Sequence, residues 1–363
     1  MSLLTTNYLT PTGREEAWRF TPLNRLAGLH DGTSIRGDRK SLVVKNPLPS
    51  GVTVSRVSAE LVTPDAVSDD AITQRVQSEA DDVLLVEVES NVSLREPIYL
   101  DRKQAGMDSA ELSRVRINVG LHSQATVIVE NTGNVILAED VEIVLAAGST
   151  LTFITLQEWG PQSVHAARHH ATVGADATFK SITVTVGGSL VRLLPRIDFS
   201  GPGSSAELLG VYFATAGQHL EHRMHIEHGV PKAKSRVNYK GALAGDKAHT
   251  VWIGDVYIRA AAEGTDTYEL NRNLLLSDGA RADSVPNLEI ETGEIVGAGH
   301  ASTTGRFDDE QLFYLMSRGI PMDQARRLVV RGFFSEVISQ IHDEVIEERL
   351  MARIDGELDK AGQ

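Results

Sequence analysis

Four histidines follow one another at intervals of three residues near the middle of the chain: His219, His222, His225 and His228. Imidazole groups bind iron and zinc in proteins, so this run is a candidate metal site. In a β-strand, however, side chains three residues apart point to opposite faces. His219 can therefore share a face with His225, and His222 with His228, but all four cannot act together. The spacing favours hydrogen-bonding or solvated histidines.

His300 is a different kind of candidate, because it stands alone among small residues. Residues 297–299 are Gly, Ala and Gly, and residues 301–302 are Ala and Ser. Small neighbours leave the imidazole open to another chain or to a ligand, although a lone histidine is more often structural. Glu289 belongs to a group of carboxylates that includes Glu291 and Glu294. That group falls at the end of a predicted strand, which favours solvated charge over catalysis.

The composition excludes several classes of function. The 363 residues include no cysteine, so disulfides, thiolate catalysis and a cluster held by the chain's own sulfurs are excluded. There is no Gly-x-Ser-x-Gly motif, phosphate loop or dinucleotide fingerprint, and nothing in the residues identifies an enzyme. A net charge of −14 argues against nucleic acid and anionic membranes as partners. With no signal peptide or membrane span in view, we expect a cytoplasmic protein.

The elements that would position these residues repeat along the middle of the chain. Gly120, Gly148, Gly174 and Gly203 follow one another after 28, 26 and 29 residues, and each opens a turn followed by an alternating strand. Such units cannot bury an apolar face alone, so neighbouring units must stack. We predict a mainly β protein with a right-handed parallel β-helix core. A β-sandwich is the competing architecture, but its strands need not recur in such regular units. A hexapeptide helix would need a six-residue repeat, and residues 173–175 (Val-Gly-Ala) have no partners at that spacing.

The sequence divides into three predicted regions: an N-terminal mixed region at 1–82, the β-helix core at 83–305 and a C-terminal helical region at 306–363. Within the first region, residues 66–80 place Val67, Ala71, Ile72 and Val76 near one face of a helix.

Two amphipathic helices are predicted in the last region. Asp308 is the expected cap of the first, Gly319 its stop, and Pro321 suits the start of the second. An apolar stripe recurs every four residues along the second helix, at Phe333, Val337, Ile341 and Val345. The helices could cap the β-helix or dock a partner.

Several segments resemble the shared core of the SufB/SufD family of iron–sulfur cluster assembly proteins. They are 284–290 (Ser-Val-Pro-Asn-Leu-Glu-Ile), 299–305 (Gly-His-Ala-Ser-Thr-Thr-Gly), 312–319 (Leu-Phe-Tyr-Leu-Met-Ser-Arg-Gly) and 332–338 (Gly-Phe-Phe-Ser-Glu-Val-Ile). The pair Asn271 and Asn273 and the group His228, Pro231 and Ser235 also fit. At the front, 14–23 resembles the entry motif of the SufD branch. The chain also resembles that branch in its length and in lacking the cysteine implied for SufB.

The resemblance implies a non-catalytic scaffold that pairs with a SufB-like paralogue and binds a SufC-like ATPase through its C-terminal helices. It matches His300 to a SufD histidine near the SufB interface, which makes this residue the candidate ligand for transient iron or a nascent cluster. No stably bound cofactor is expected. Some SufD chains have cysteine two residues before that histidine, where this chain has Ala298. The expected SufC-docking residues are Phe313, Tyr314, Arg318, Phe333, Val337 and Ile341, with His228 and Glu289 as further candidates.

Two other functions remain open at this point. One is a SufB-type or self-pairing SufB/D homologue, and the isolated chain could form a homodimer. The other is a carbohydrate-active enzyme built on a β-helix, which secretion signals and an acidic sugar cleft would favour. Neither feature is visible in the sequence. Co-purification with a cysteine-containing paralogue and an ATPase would separate these functions.

Overall fold

The computed structural model describes residues 9–103, 106–306 and 309–361. Its eighteen strands form two nine-stranded sheets. The strands in chain order are β1 Leu42–Val44, β2 Val52–Ser58, β3 Asp82–Val88, β4 Ile98–Arg102, β5 Ala110–Val119, β6 Gln124–Gly133, β7 Ile136–Leu145, β8 Thr150–Trp159, β9 Val164–Val173, β10 Thr178–Val186, β11 Leu190–Phe199, β12 Ser205–Ala214, β13 His219–His228, β14 Lys234–Leu243, β15 His249–Ile258, β16 Thr265–Leu275, β17 Arg281–Ile290 and β18 Ile295–Arg306. The helices are α1 Ala71–Glu79, α2 Asp309–Ser317, α3 Met322–Ile338 and α4 Glu344–Ala361.

The strands alternate between the two sheets, so that each turn of the chain adds one strand to each. We call the sheet of β1, β4 and the even-numbered strands β6 to β18 sheet I, and the sheet of β2 and the odd-numbered strands β3 to β17 sheet II. From β3 onward, neighbouring strands within a sheet are parallel. This confirms the mainly β, parallel β-helix architecture. The right-handed sense of the coil stays a prediction, based on the strong preference of parallel crossovers.

The four glycines of the predicted repeat do lie at the corners that precede the sheet I strands. They do not all occupy the same position of the corner, however, but two different ones. One position holds a left-handed residue, with φ near +60°: His122, Gly148, Asp176 and Gly203 occupy it in successive turns. Its N–H donates to a carbonyl of the next turn, as from Gly148 to Ala175 at 2.8 Å. Gly120 and Gly174 stand two residues before this position. Each repeat also contains two strands rather than the single strand predicted.

Apolar side chains fill the space between the sheets and also cover much of their outer faces. The inner core runs from Leu42 to Ala262 and includes Phe153, Tyr212 and Trp252. A second cluster joins the outer face of sheet I to α3 and α4. A third joins the outer face of sheet II to α1 and the segment around Trp18. The middle turns are therefore filled between the sheets and covered on both outer faces.

The N-terminal helix is shorter than predicted, because Asp70 sets its start. The side chain of Asp70 accepts the N–H of Thr73 at 3.0 Å, which caps α1 at Ala71. Ile72 and Val76 are buried as predicted, together with Ala71. Val67 lies before the helix and is 83% exposed, so its place on the apolar face was wrong.

The C-terminal region contains three helices, whereas two were predicted. Gly319 does end α2 in a left-handed conformation, with φ +83°. The predicted second helix is broken at His342, which has φ +57°, and Asp343 then accepts the N–H groups of Val345 and Ile346 to start α4. Because of this break, Val345 leaves the predicted stripe and is 76% exposed. The predicted cap Asp308 lies outside the described residues.

The two ends of the solenoid are built differently. At the N-terminal end, β1 pairs with β4 and β2 pairs with β3, both antiparallel, so each sheet ends there on an antiparallel strand. At the C-terminal end, β17 and β18 are the last strands of their sheets. Among the described helices, none combines the length and apolar character needed to cross a membrane.

Candidate functional site

The candidate site lies at the C-terminal end of the solenoid, where β17 and β18 each have one edge without a neighbouring strand. Within the described residues, β17 pairs only with β15 and β18 only with β16. A free edge presents unpaired N–H and C=O groups along its length. We call this surface, formed by the residues of β17 and β18, the open end. Its inward-facing side chains are not covered by another turn.

His300 belongs to the inward-facing row of β18. Ile295 and Ala298 both pack against the inner core, because a register shift just after Ile295 adds one residue between them, and β18 alternates faces from Ala298 onward. His300 pairs in register with Glu269 of β16, so both side chains lie on the same face. His300 is nevertheless exposed, because no further turn lies beyond it. Its ring is accessible to another chain or to a small ligand.

A hydrogen-bond network fixes the open end from inside. The hydroxyl groups of Ser302 and Ser284 are 2.7 Å apart and thereby join β18 to β17. Ser284 donates to Oδ1 of Asn271 at 2.8 Å, and Asn271 donates to the hydroxyl of Tyr212 at 2.9 Å. Tyr212 in turn donates to Asn273 at 2.7 Å. The two asparagines and Ser284 of the family motifs therefore position the strands that carry His300.

Glu269 lies directly inside this surface and has no partner. Its side chain is buried, with 1% exposure, and neither carboxyl oxygen has a hydrogen bond. Burial raises the pKa of Glu269 to about 8, and the charge of Asp255 acts in the same direction. The sequence reasoning missed this residue. The sequence does contain one sign that Glu269 faces inward, which is its place in the alternating series Thr265, Thr267, Glu269, Asn271 and Asn273.

The run of four histidines divides between two faces, as its spacing predicts. His222 and His228 point inward: His222 stacks on Tyr212, and His228 bonds to Ser235 through Nε2 at 2.9 Å. His219 and His225 lie outward, where each contacts a glutamate on its own strand. Burial lowers the pKa of His222 to about 3 and that of His228 to about 4. In the described part of the chain, no three His, Asp or Glu residues are grouped to hold a metal.

The other candidates lie apart from His300. Glu289 is exposed on β17, on the face opposite the inward row. The predicted docking residues fall into two groups. Val337 and Ile341 are buried against the solenoid, and Phe333 is partly buried beside them.

The second docking group lies on and just after α2 and faces solvent. Phe313 is 73% exposed, Tyr314 is 56% exposed, and the guanidinium of Arg318 lies 5.0 Å from the centre of the Tyr314 ring. Lys240 holds the neighbouring helix α3 to the solenoid through the Phe333 carbonyl at 3.0 Å and Glu336 at 2.6 Å. The docking role of both groups stays a prediction.

Comparison with known proteins gives the class to which this fold and site belong. The family model for the SufBD core domain of the SUF system for iron–sulfur cluster assembly matches residues 102–333. That range is more than half of the chain and includes the open end. The chain belongs to the SufBD family of iron–sulfur cluster assembly proteins.

Individual relatives place the chain more closely. A SufBD family protein of Mycobacterium tuberculosis is 48% identical over 356 residues, covering 96% of this chain and 89% of its own length. A SufBD family protein of Mycobacterium leprae is 47% identical, covering 96% of this chain and 90% of its own length. The iron–sulfur cluster assembly protein SufD of Escherichia coli is 27% identical, covering 95% and 88% respectively. The chain is SufD-like at this distant level of identity.

Proposed function

We propose that this chain is the non-catalytic, SufD-like scaffold subunit of a complex that assembles iron–sulfur clusters. The observation that carries the proposal is the open end, which has two free strand edges and an exposed His300 on one of these strands, β18. A free parallel edge is a template for pairing with another chain. The partner is a SufB-like paralogue that supplies the cysteine this chain lacks.

Pairing through the open end predicts which surface substitutions break the complex. Ile290 is the last residue of β17, faces inward and is 44% exposed. Ile290→Asp should abolish co-purification with the SufB-like paralogue, because a carboxylate buried in the new interface lacks a partner. Leu61→Asp is the matched control, since Leu61 is 77% exposed near the opposite end. A complex that survives Ile290→Asp would contradict pairing at this surface.

His300 is the residue proposed to meet the cargo. Neutral imidazole is a borderline ligand that suits iron, and the chain offers no thiolate to compete with it. The cargo is a transient ion or nascent cluster completed by groups of the partner, so we expect the chain alone to purify colourless. A stable iron–sulfur absorption band from the isolated chain would contradict this proposal.

The C-terminal helices are proposed to dock a SufC-like ATPase through the exposed surface of α2. Phe313, Tyr314 and Arg318 are accessible for direct contact, while Val337 and Ile341 position α3 from beneath. Phe313→Asp should therefore weaken ATPase binding without lowering stability. Val345→Asp, on an equally exposed apolar residue of α4, should leave binding unchanged.

The main alternative is a chain that pairs with a second copy of itself through the same edges. Affinity purification from native cells distinguishes the two. Recovery of a cysteine-containing paralogue with an ATPase supports the scaffold proposal. Recovery of a homodimer as the only stable species supports the self-pairing homologue instead.

A further inference from the structure

Glu269 is unlike the other buried acids of this protein. In residues 9–103, 106–306 and 309–361, every other buried Asp or Glu side chain has a basic side chain within ion-pair distance. Glu139, for example, lies 2.5 Å from the guanidinium of Arg102, which is equally buried. Glu269 has neither an ion pair nor a hydrogen bond. A buried carboxyl group without a hydrogen-bond partner is destabilising even when it is neutral, so this position needs an explanation.

The backbone opposite Glu269 makes room for its side chain. A Cβ added to Gly254 of β15 would lie 2.5 Å from Oε1 of Glu269 and 2.9 Å from its Cδ. Only glycine at that position admits the carboxyl group, which reaches across the interior to the facing sheet. The group is therefore closely surrounded by protein atoms, yet none of the donors in the described residues forms a hydrogen bond with it.

The next residue beyond Glu269 toward the open end is His300 of β18. Adjacent strands of a sheet are about 4.8 Å apart, and residues paired in register point to the same face. Val237, Glu269 and His300 are aligned on the inner face of three successive strands, β14, β16 and β18. Toward the open end, this series therefore changes from an apolar residue to a buried carboxyl group and then to an exposed imidazole. Glu269 is the last buried member of the series, and His300 is the member that meets solvent.

We propose that Glu269 is a second protein donor, beside His300, for the divalent metal cargo at the open end. Carboxylate oxygen and imidazole nitrogen together suit Fe²⁺ and related divalent ions. Two donors leave most coordination positions free for groups of the partner chain, so the ion is held weakly enough to be passed on. This inference rests on the proposed function of His300 and adds to it the residue that explains an unpaired buried carboxyl.

The test is Co²⁺ binding by the purified full-length chain, followed through the visible absorption bands of the bound ion. Glu269→Gln keeps the size and shape of the side chain but removes the anionic donor. We expect this variant and His300→Ala each to weaken Co²⁺ binding at least tenfold, and the double variant to bind no more weakly than the weaker single one. Glu263→Gln, which makes the same change at an exposed acid, should bind as the unchanged chain does.

The outcomes separate this inference from the function on which it rests. If only His300→Ala weakens binding, His300 remains the cargo residue and the role of Glu269 is overturned. If Glu269→Gln lowers the melting temperature while Co²⁺ binding is kept, Glu269 is a structural acid and the inference fails. If the unchanged chain binds no Co²⁺, the inference also fails, while co-purification with the paralogue still decides the scaffold proposal.

Discussion

The middle turns of the solenoid and its last turn both carry inward-facing histidines, one in each sheet, but in opposite surroundings. His222 in β13 is fully buried between Tyr212 and Tyr239, and burial holds its pKa at about 3. His300 in β18 of sheet I also faces inward, but it is exposed. His222 has a neighbouring turn on each side, because β13 pairs with both β11 and β15, whereas β18 pairs only with β16 among the described residues. The position of a residue along the solenoid, more than its type, therefore decides whether it can meet a ligand.

The same contrast applies to the outer surfaces. The middle turns are covered by α3 and α4 on sheet I and by the N-terminal segment on sheet II. The last turn keeps free strand edges and exposed apolar groups such as Ile290 and Val296. We expect the middle turns to control stability and the open end to control assembly.

The largest expected effect is at the helix that covers sheet I. Val337 is 1% exposed against the solenoid, so Val337→Asp removes an apolar contact and buries an unpaired carboxylate. We expect a loss of about 4–5 kcal/mol in the free energy of unfolding, measured by urea denaturation. The exposed control Val345→Asp should change it by less than about 0.5 kcal/mol. If folded Val337→Asp still binds the ATPase normally, Val337 serves only to cover the solenoid.

A second prediction compares the interior of the two regions. Phe153 in β8 is fully buried in the inner core, and Phe153→Ala should cost about 3–4 kcal/mol. Ile290→Ala at the open end should cost less than about 1 kcal/mol, because the side chain is 44% exposed. Equal losses in urea denaturation would show that the isolated last turn is as tightly packed as the middle.

A third prediction uses pH. The folded chain keeps His222 neutral down to about pH 3, whereas the unfolded chain binds a proton there near pH 6.5. The stability that this histidine contributes is therefore present above about pH 6.5 and is lost as the pH falls. His222→Gln should reduce the acid dependence of the unfolding free energy by about 1.4 kcal/mol per pH unit between pH 6 and 4. An unchanged slope in His222→Gln would show that this histidine does not set the acid dependence.

The smallest effect on stability is expected at His300, together with the largest effect on function. His300→Ala should change the unfolding free energy by less than about 0.5 kcal/mol, because the side chain is exposed. The complex with the paralogue and the ATPase should form, but should accumulate less iron and sulfide in cells. Loss of the complex would identify His300 as an interface residue. Normal cluster content would overturn its metal role.

Much of the fold follows from the sequence alone. The repeat predicts a parallel solenoid, the spacing of the histidine run predicts the pairs His219 with His225 and His222 with His228, and the C-terminal motifs identify the family. These features are local or strictly periodic, so that a single strand or turn carries enough information to reveal them. The corner glycines were read less accurately, because His122 and Asp176 adopt the left-handed conformation that glycine was expected to supply.

Other features depend on residues far apart in the chain and were decided only by the tertiary structure. The break at His342 turns Val345 outward while Val337 stays against the solenoid. The sequence gives no sign that Glu269 faces Gly254 without a basic partner, because the pairing of turns about 27–32 residues apart sets what each inward side chain meets. Burial in a solenoid is a property of neighbouring turns. The last turn has a neighbour on one side only, and that leaves His300 exposed.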